Sequence, residues 1–404
     1  MKSTFFSPIV EPREFQKKAR GNAVRVAIES IATGVPDHVT PQVQAGEVIS
    51  QLAGLQENRS RIEKLYKNTR IETRHLAVDL LSLEELERVC QLPLSTRMEM
   101  YKEQAVPLAE RVVQQAIARA AANFQTDQAS PISALKEAIR MVVFVSSTGF
   151  IAPGIDTLLI RKLGLRRDVA RVPIHFMGCA AAMNGLRVAS DYVKAHPTHK
   201  ALVVCLELSS IHALFADRLN DIIIHSIFSD GCAAVILGGC TEAQAIAQGK
   251  VIIRDHFSQL LDGTEDGIEL KVHEHGITCQ LSRQLPDYIE SGLAPVIEGY
   301  LARRKLTKEN IDLWAVHPGG VRIIEKAQQA LGLSDTQVAN SWEVLKHYGN
   351  MLSASILFVL ERMLGDEILH PRGADAAQDS HRLNGLAFSF SPGVGIEGLL
   401  FQKF

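Results

Sequence analysis

Three side chains of this 404-residue chain stand where a fold could use them for covalent chemistry: Cys179, His317 and Asn350. Cys179 follows the apolar run Val172-Pro173-Ile174-His175-Phe176-Met177 and Gly178, and a helix-favouring run from Ala180 to Lys194 comes after it. The pattern predicts a strand, a tight turn, and a buried helix with the cysteine at its first turn. A thiol there faces unpaired backbone N–H groups and the positive end of the helix dipole, and both favour the nucleophilic thiolate. A free cysteine is as often buried and inert, and this stretch alone leaves both readings open. His317 ends the apolar run from Ile311 to Val316 at a Pro-Gly-Gly turn, and Asn350 opens a predicted helix after Gly349. In α/β folds functional groups gather at the carboxyl ends of strands and at helix starts. Singly, His317 reads as a hydrogen-bonded structural residue and Asn350 as a helix N-cap. Together with Cys179 they fit one reaction type. The thiolate attacks a thioester, with His317 as its ion-pair partner. His317 and Asn350 then offer N–H groups to a developing oxyanion. Two such donors permit decarboxylation of a malonyl thioester without a metal, and the carbanion attacks the acyl-cysteine in a Claisen condensation.

The elements that must hold these residues alternate. Strands are expected at Val24 to Ile31, Met141 to Ser147, Ala201 to Leu206, Cys232 to Leu237, Lys250 to Arg254, and Ile311 to Val316. A last pair, Leu386 to Phe390 and Ile396 to Phe401, is joined by Ser391-Pro392-Gly393-Val394-Gly395. Helices are expected at Thr40 to Leu52, Glu103 to Phe124, Ile155 to Leu163, Asp287 to Arg304, Val321 to Leu331 and Asn350 to Leu364. This alternation is that of an α/β fold, and the continuous apolar strands suggest mostly parallel pairing. Residues 1–24 read as an N-terminal extension. Residues 25–239 and 240–404 read as two halves packed as one body, with the boundary near Gly239-Cys240. The run from Ser60 to Arg74 carries Arg61, Lys64, Lys67, Arg70 and Arg74. It is either a solvated helix face or a patch for the phosphates of CoA.

Composition removes other classes. A net charge of −2 gives no reason to expect nucleic acid or an anionic membrane as partner. Six cysteines without CxxC spacing suggest a reduced, cytoplasmic protein with neither a disulfide framework nor a metal site. Met1 to Ala23 has no apolar core of a signal peptide, and no run of about 18 apolar residues predicts a transmembrane helix.

The segments MGCAAAMNGLR, IFSDGCAAVILG, AVHPGG, YGNMLSAS and FSFSPGVGIEG stand in this order along the chain. In order and spacing the chain resembles the type III polyketide synthases, the chalcone synthase-like family of the thiolase superfamily. The resemblance implies a thiolase fold of two similar βαβ halves, packed as a layered α/β/α/β/α body, and a homodimer. It implies condensation of an acyl-CoA starter with malonyl-CoA, with CoA thioesters as substrates and no further cofactor. Carried over, Cys179 is the nucleophile, and His317 and Asn350 are the decarboxylation and oxyanion pair. Phe228 matches a gatekeeper phenylalanine. Thr148, Ser209, His212, Cys279, Leu352, Pro392 and Gly393 line the substrate, and Arg61 and Lys64 lie near the basic residues that bind CoA. The plant enzymes carry a second gatekeeper phenylalanine where this chain has Cys279. The segment from Ser209 to Asp217 is similar to bacterial alkylpyrone and alkylresorcinol synthases. Both departures favour a fatty acyl starter and an alkylresorcinol or alkylpyrone product. The alternatives are a ketoacyl synthase that initiates fatty-acid synthesis, whose usual contexts differ around His and Asn, and a non-catalytic thiolase-fold partner. A hydroxymethylglutaryl-CoA synthase would need a catalytic glutamate, for which the sequence offers no clear candidate.

Overall fold

The computed structural model describes residues 23–126, 130–215, 219–369 and 382–404. Residues 1–22 of the expected extension, and Asp217, lie outside them. Thirteen strands run β1 (Arg25–Gly34), β2 (Val39–Pro41), β3 (Thr73–His75), β4 (Ile139–Ser146), β5 (Ala170–His175), β6 (Lys200–Leu208), β7 (Asp230–Cys240), β8 (Val251–Leu260), β9 (Ile268–His273), β10 (Gly276–Leu281), β11 (Leu313–Val316), β12 (Leu383–Ser391) and β13 (Gly395–Lys403). The helices before β7 are α1 (Gln42–Ile49), α2 (Arg59–Lys67), α3 (Leu83–Cys90), α4 (Leu94–Ala122), α5 (Pro131–Ala138), α6 (Ile155–Lys162), α7 (Ala181–Ala195) and α8 (Leu219–Ile227). After it come α9 (Glu242–Ala247), α10 (Leu285–Ala302), α11 (Val321–Leu331), α12 (Ala339–Tyr348) and α13 (Ser355–Leu369).

Nine strands form one sheet in the order β11-β12-β13-β8-β1-β7-β6-β4-β5. The expectation of mostly parallel pairing is overturned. Only β4/β5, β4/β6 and β11/β12 are parallel, against five antiparallel pairs. Continuous apolar strands report helices on both faces, not strand direction. The order repeats. The run β4-β6-β7-β1 in the first half recurs as β11-β12-β13-β8 in the second, with the same sequence of parallel and antiparallel pairs. The halves meet where Val26–Ile28 pairs with residues 251–253.

Three apolar cores set the layers. Helices α1 to α6 cover the outer face of the first half through Ile49, Tyr66, Leu86, Val112, Leu135 and Leu159. Helices α7 and α13 lie between the halves, where Met183, Leu186, Ile356 and Leu360 meet strands of both. Helices α10, α11 and α12 cover the second half through Ile289, Ile297, Ile324 and Leu345. This is the α/β/α/β/α body of a thiolase fold. The seam carries an ion cluster: the largely buried Glu29 carboxylate of β1 meets Lys200 at 2.8 Å and Lys250 at 3.1 Å. Burial raises its pKa, but the two ammonium groups hold it below the usual range.

Candidate active site

The nucleophile candidate stands where β5 turns into α7. Phe176 and Gly178 both take positive φ, +57° and +56°, which brings the chain round sharply enough to present Cys179 in a 3₁₀ turn, Gly178–Ala180. A Cβ on Gly178 would come within 3.2 Å of Pro392 Cδ, so glycine lets the β12–β13 turn close over this junction. The amide of Gly178 donates to Ser147 Oγ at 3.1 Å, tying the junction to the end of β4.

Asn350 does not open a helix. Gly349, at φ +70°, lifts it out of α12, and it pairs as a parallel bridge with Phe228. Its N–H donates to Ile227 O at 2.9 Å, and its carbonyl accepts from Ser229 N at 2.8 Å. A 3₁₀ turn, Leu352–Ala354, comes next, and α13 begins only at Ser355. The side-chain oxygen accepts from Leu352 N at 2.9 Å, as an Asx cap does. That bond turns the amide nitrogen outward, to Gly319 O at 3.3 Å and to Cys179 Sγ at 3.9 Å. Both ends of the amide lie near the sulfur, the nitrogen at 3.9 Å and the oxygen at 4.0 Å, while the oxygen also holds Leu352 N.

His317 is 1% exposed at the end of β11. Its backbone is fixed by its N–H to Phe388 O at 3.1 Å and by Gly319 N to its carbonyl at 2.9 Å. Neither imidazole nitrogen has a hydrogen-bond partner. A buried polar ring left unpaired costs free energy, and sites built to receive a ligand carry such groups. The expected Cys–His ion pair is not formed. Burial pushes the Cys179 thiol up to about 12, against the opposing hydrogen bond of Asn350. Burial alone pushes His317 down to about 3. Desolvation disfavours both charged forms and opposes the helix start that was expected to favour the thiolate.

Behind Cys179 lies a group the sequence reading missed. Glu207, at the end of β6, is fully buried and accepts from Ser147 N at 2.9 Å, Thr148 Oγ1 at 2.8 Å and Ser353 Oγ at 2.5 Å. Burial raises its carboxyl to about 7, against these hydrogen bonds. One glutamate ending an apolar run gives no local signal. Its meaning lies in Thr148 and Ser353, far away in sequence.

Thr148, Ser209, His212, Phe228, Cys279 and Leu352 line one pocket with Ile224, Leu270 and Ile277. At about 20 Å³ it holds roughly one water. His212 crosses the pocket, its Nε2 on Thr148 O at 2.7 Å and its Nδ1 accepting from Ile277 N at 3.1 Å, and burial holds it neutral, near 4. The Ser209 hydroxyl is spent on Ser229 O at 2.8 Å. Gly393, at φ +70°, anchors the β12–β13 turn through its N–H to Ile268 O at 3.0 Å.

Arg61 and Lys64 line a second pocket of about 410 Å³ with Asn58, Leu65, Ile222 and Ile223. Helix α8 divides the two pockets, since its Ile224, His225 and the following Phe228 face the first. The charge run splits accordingly: Arg61, Lys64, Lys67 and Arg70 are exposed, whereas Arg74 is buried.

The comparisons with known proteins agree across the chain. The N-terminal domain model of chalcone and stilbene synthases matches residues 11–241, and the C-terminal domain model matches residues 253–404. An alpha-pyrone synthesis polyketide synthase-like protein, Pks18 of Mycobacterium tuberculosis, is 46% identical over 93% of this chain and 90% of its own length. Type III polyketide synthase A of Arabidopsis thaliana is 30% identical, covering 95% of this chain and 94% of its own. Among solved structures, PKS-I of the brown alga Ectocarpus siliculosus superposes with a TM-score of 0.86 at 43% identity, over 95% of this chain and 99% of that one. Two family models end to end and full-length relatives place the chain in the chalcone and stilbene synthase family: it is a type III polyketide synthase, an acyltransferase that condenses an acyl-CoA starter with malonyl-CoA.

Proposed function

We propose that Cys179, His317 and Asn350 carry the reaction, and that the enzyme extends an aliphatic, fatty acyl starter and releases an alkylpyrone. The observation that carries the assignment is the Asn350 amide held 3.9 Å from the Cys179 sulfur and bonded to Gly319 O, in the turn that carries His317 with both imidazole nitrogens free. When acyl-CoA arrives, the thiol proton passes to His317. The sulfur attacks the thioester carbonyl, and the proton leaves with the CoA thiol. Malonyl-CoA then loses CO₂. Its enolate oxygen is held by N–H groups of Asn350 and His317, and the carbanion attacks the acyl-Cys179, freeing the sulfur for the next round. CoA thioesters are the only small molecules these steps consume.

Arg61 and Lys64 suit the phosphates of CoA at the mouth of the second pocket. The fatty starter is supported by the apolar lining of Ile224, Leu270, Ile277, Cys279 and Leu352. Pyrone release is supported by the name of the mycobacterial relative. A homodimer is supported by the open edge of β5, with Ala170, Arg171 and Pro173 exposed. Near it Phe150 is 64% exposed beside a cavity of about 970 Å³. An uncovered edge strand and ring of this kind call for a partner. All six cysteines are free, which suits the cytoplasm, and no helix among the described residues is long and apolar enough to cross a membrane. The test is product mass with a panel of acyl-CoA starters and malonyl-CoA. Pyrones from fatty starters support the proposal. Resorcinols, which lack one further CO₂, overturn the release step, and a preference for aromatic starters overturns the starter.

A further inference from the structure

Two stretches at the pocket lined by Cys279, residues 211–213 and the end of α8, are each held by a buried arginine. Arg74 and Arg97 are 1% and 0% exposed. No carboxylate among the described residues hydrogen-bonds either one; Arg97 gives its bonds to backbone carbonyls, and Arg74 to two backbone carbonyls and one side-chain amide, its Nη2 having no hydrogen-bond partner. Arg74 donates through Nη1 to His225 O at 2.6 Å and Phe228 O at 2.7 Å, and through Nε to Gln42 Oε1 at 2.7 Å. The Gln42 amide in turn donates to Ser226 O at 2.6 Å. Arg97 donates to Ile211 O and Ala213 O, on either side of His212, and to Val89 O and Leu92 O.

At the α8 terminus the bonds close on the active site. The carbonyls of His225, Ser226 and Phe228 are taken by Arg74 and Gln42, and that of Ile227 by the backbone N–H of Asn350. A Cβ on Gly349 would come within 3.1 Å of the Arg74 stem. The residues before Arg74 also dock on the end of α12, Glu72 N to Lys346 O at 2.7 Å and Thr73 Oγ1 to His347 O at 2.9 Å. A first-half residue therefore braces the second-half turn that presents the Asn350 amide. Burial disfavours the Arg74 cation and outweighs the charge of the buried Asp230, which favours it, and neutral side chains could cap a helix with less penalty. What two forked guanidiniums supply is fixed placement of several carbonyls at once.

We propose that Arg74 and Arg97 are positioning residues: Arg74 sets Asn350 and Phe228 for condensation, and Arg97 sets His212 and with it the choice of starter. This rests on the roles given above to Cys179 and Asn350.

The test uses the full-length enzyme and separates three readouts: acylation of Cys179 by a short acyl-CoA, followed by intact-protein mass; condensation with malonyl-CoA; and the kcat/KM ratio of a long to a short starter. Arg74→Met should slow condensation at least about tenfold while Cys179 acylation stays within about threefold. Arg74→Lys should recover part of the loss. Arg97→Met should shift the starter ratio by about fivefold or more, with short-starter condensation within about threefold. Gln42→Leu keeps the guanidinium but frees Ser226 O, and should show a weaker form of the Arg74 split; it decides the matter if Arg74→Met does not fold. The proposal is overturned if acylation and condensation fall by one common factor, if the starter ratio is unmoved, or if no variant changes either step. A wild type that never acylates Cys179 sinks the catalytic reading itself, a different result.

Discussion

The two halves of the molecule share one strand order and split the chemistry. In the first, β4 has a further neighbour, β5, and the turn from β5 into α7 delivers Cys179. In the second, no strand among the described residues takes the place of β5 beside β11. There α12 ends at Gly349, and the chain drops into the bridge with Phe228 that delivers the Asn350 amide, while the turn after β11 delivers His317. On the proposed assignment, one plan supplies the nucleophile on one side and the hydrogen-bond donors on the other. Both residues proposed as donors lie in the half whose edge is cut short, on irregular backbone whose own N–H groups are bonded while the side chains face the sulfur or stand unpaired.

If the halves divide the labour this way, substitutions should separate by step. The largest effect is expected from the nucleophile half. Cys179→Ala removes one sulfur at a site that tolerates alanine, so it should fold normally and give no acyl-enzyme and no polyketide. Product from this variant, measured by chromatography with mass detection, contradicts the division outright. In the donor half, Asn350→Ala and His317→Ala should each slow condensation on the order of 10²–10³, the scale for one oxyanion donor. His317→Ala should also slow acylation, because His317 accepts the thiol proton, and Asn350→Ala should spare it. A third measurement sharpens the electrostatics. With the thiol held up to about 12 and His317 near 3, the thiolate fraction grows with pH and lies far below saturation. Alkylation of Cys179 by iodoacetamide should therefore rise about tenfold per unit between about pH 7 and 9. A plateau beginning below neutrality would mean a standing thiolate–imidazolium pair. The smallest effect is expected at the pocket wall. Cys279→Phe overfills a space of about 20 Å³ and should lower the long-to-short starter ratio several-fold, at about 0.8 kcal/mol per methylene excluded, with little change for acetyl or butyryl groups.

Much of this was legible in the chain, for physical reasons. Apolar runs such as Met141 to Ser147 had to be strands covered on both faces, and the Gly-Cys and Pro-Gly-Gly punctuation placed Cys179 and His317 at strand ends. What was illegible depends on distant partners. Strand direction depends on connections: the apolar runs at β6 and β7 are neighbours and antiparallel. Asn350 read as a helix opener because its bridge partner, Phe228, is remote in sequence. Arg74 sits in a run of exposed charges and differs from them only through carbonyls of α8. Glu207 acquires its role from Thr148 and Ser353. The helix expected at Glu103 to Phe124 begins earlier, at Leu94, as the 29-residue α4, which passes through Pro107 because its apolar face packs without a break.

The division between halves is tested most directly by a two-step experiment on Asn350→Ala. The variant is first charged with acyl-CoA and the Cys179 adduct is weighed. Malonyl-CoA is then added and decay of the adduct is followed. Adduct formation at close to the wild-type rate, followed by an acyl-enzyme that persists while the wild type clears, is the predicted result. Loading and condensation lost together and by the same factor would contradict it, reducing Asn350 to a structural cap.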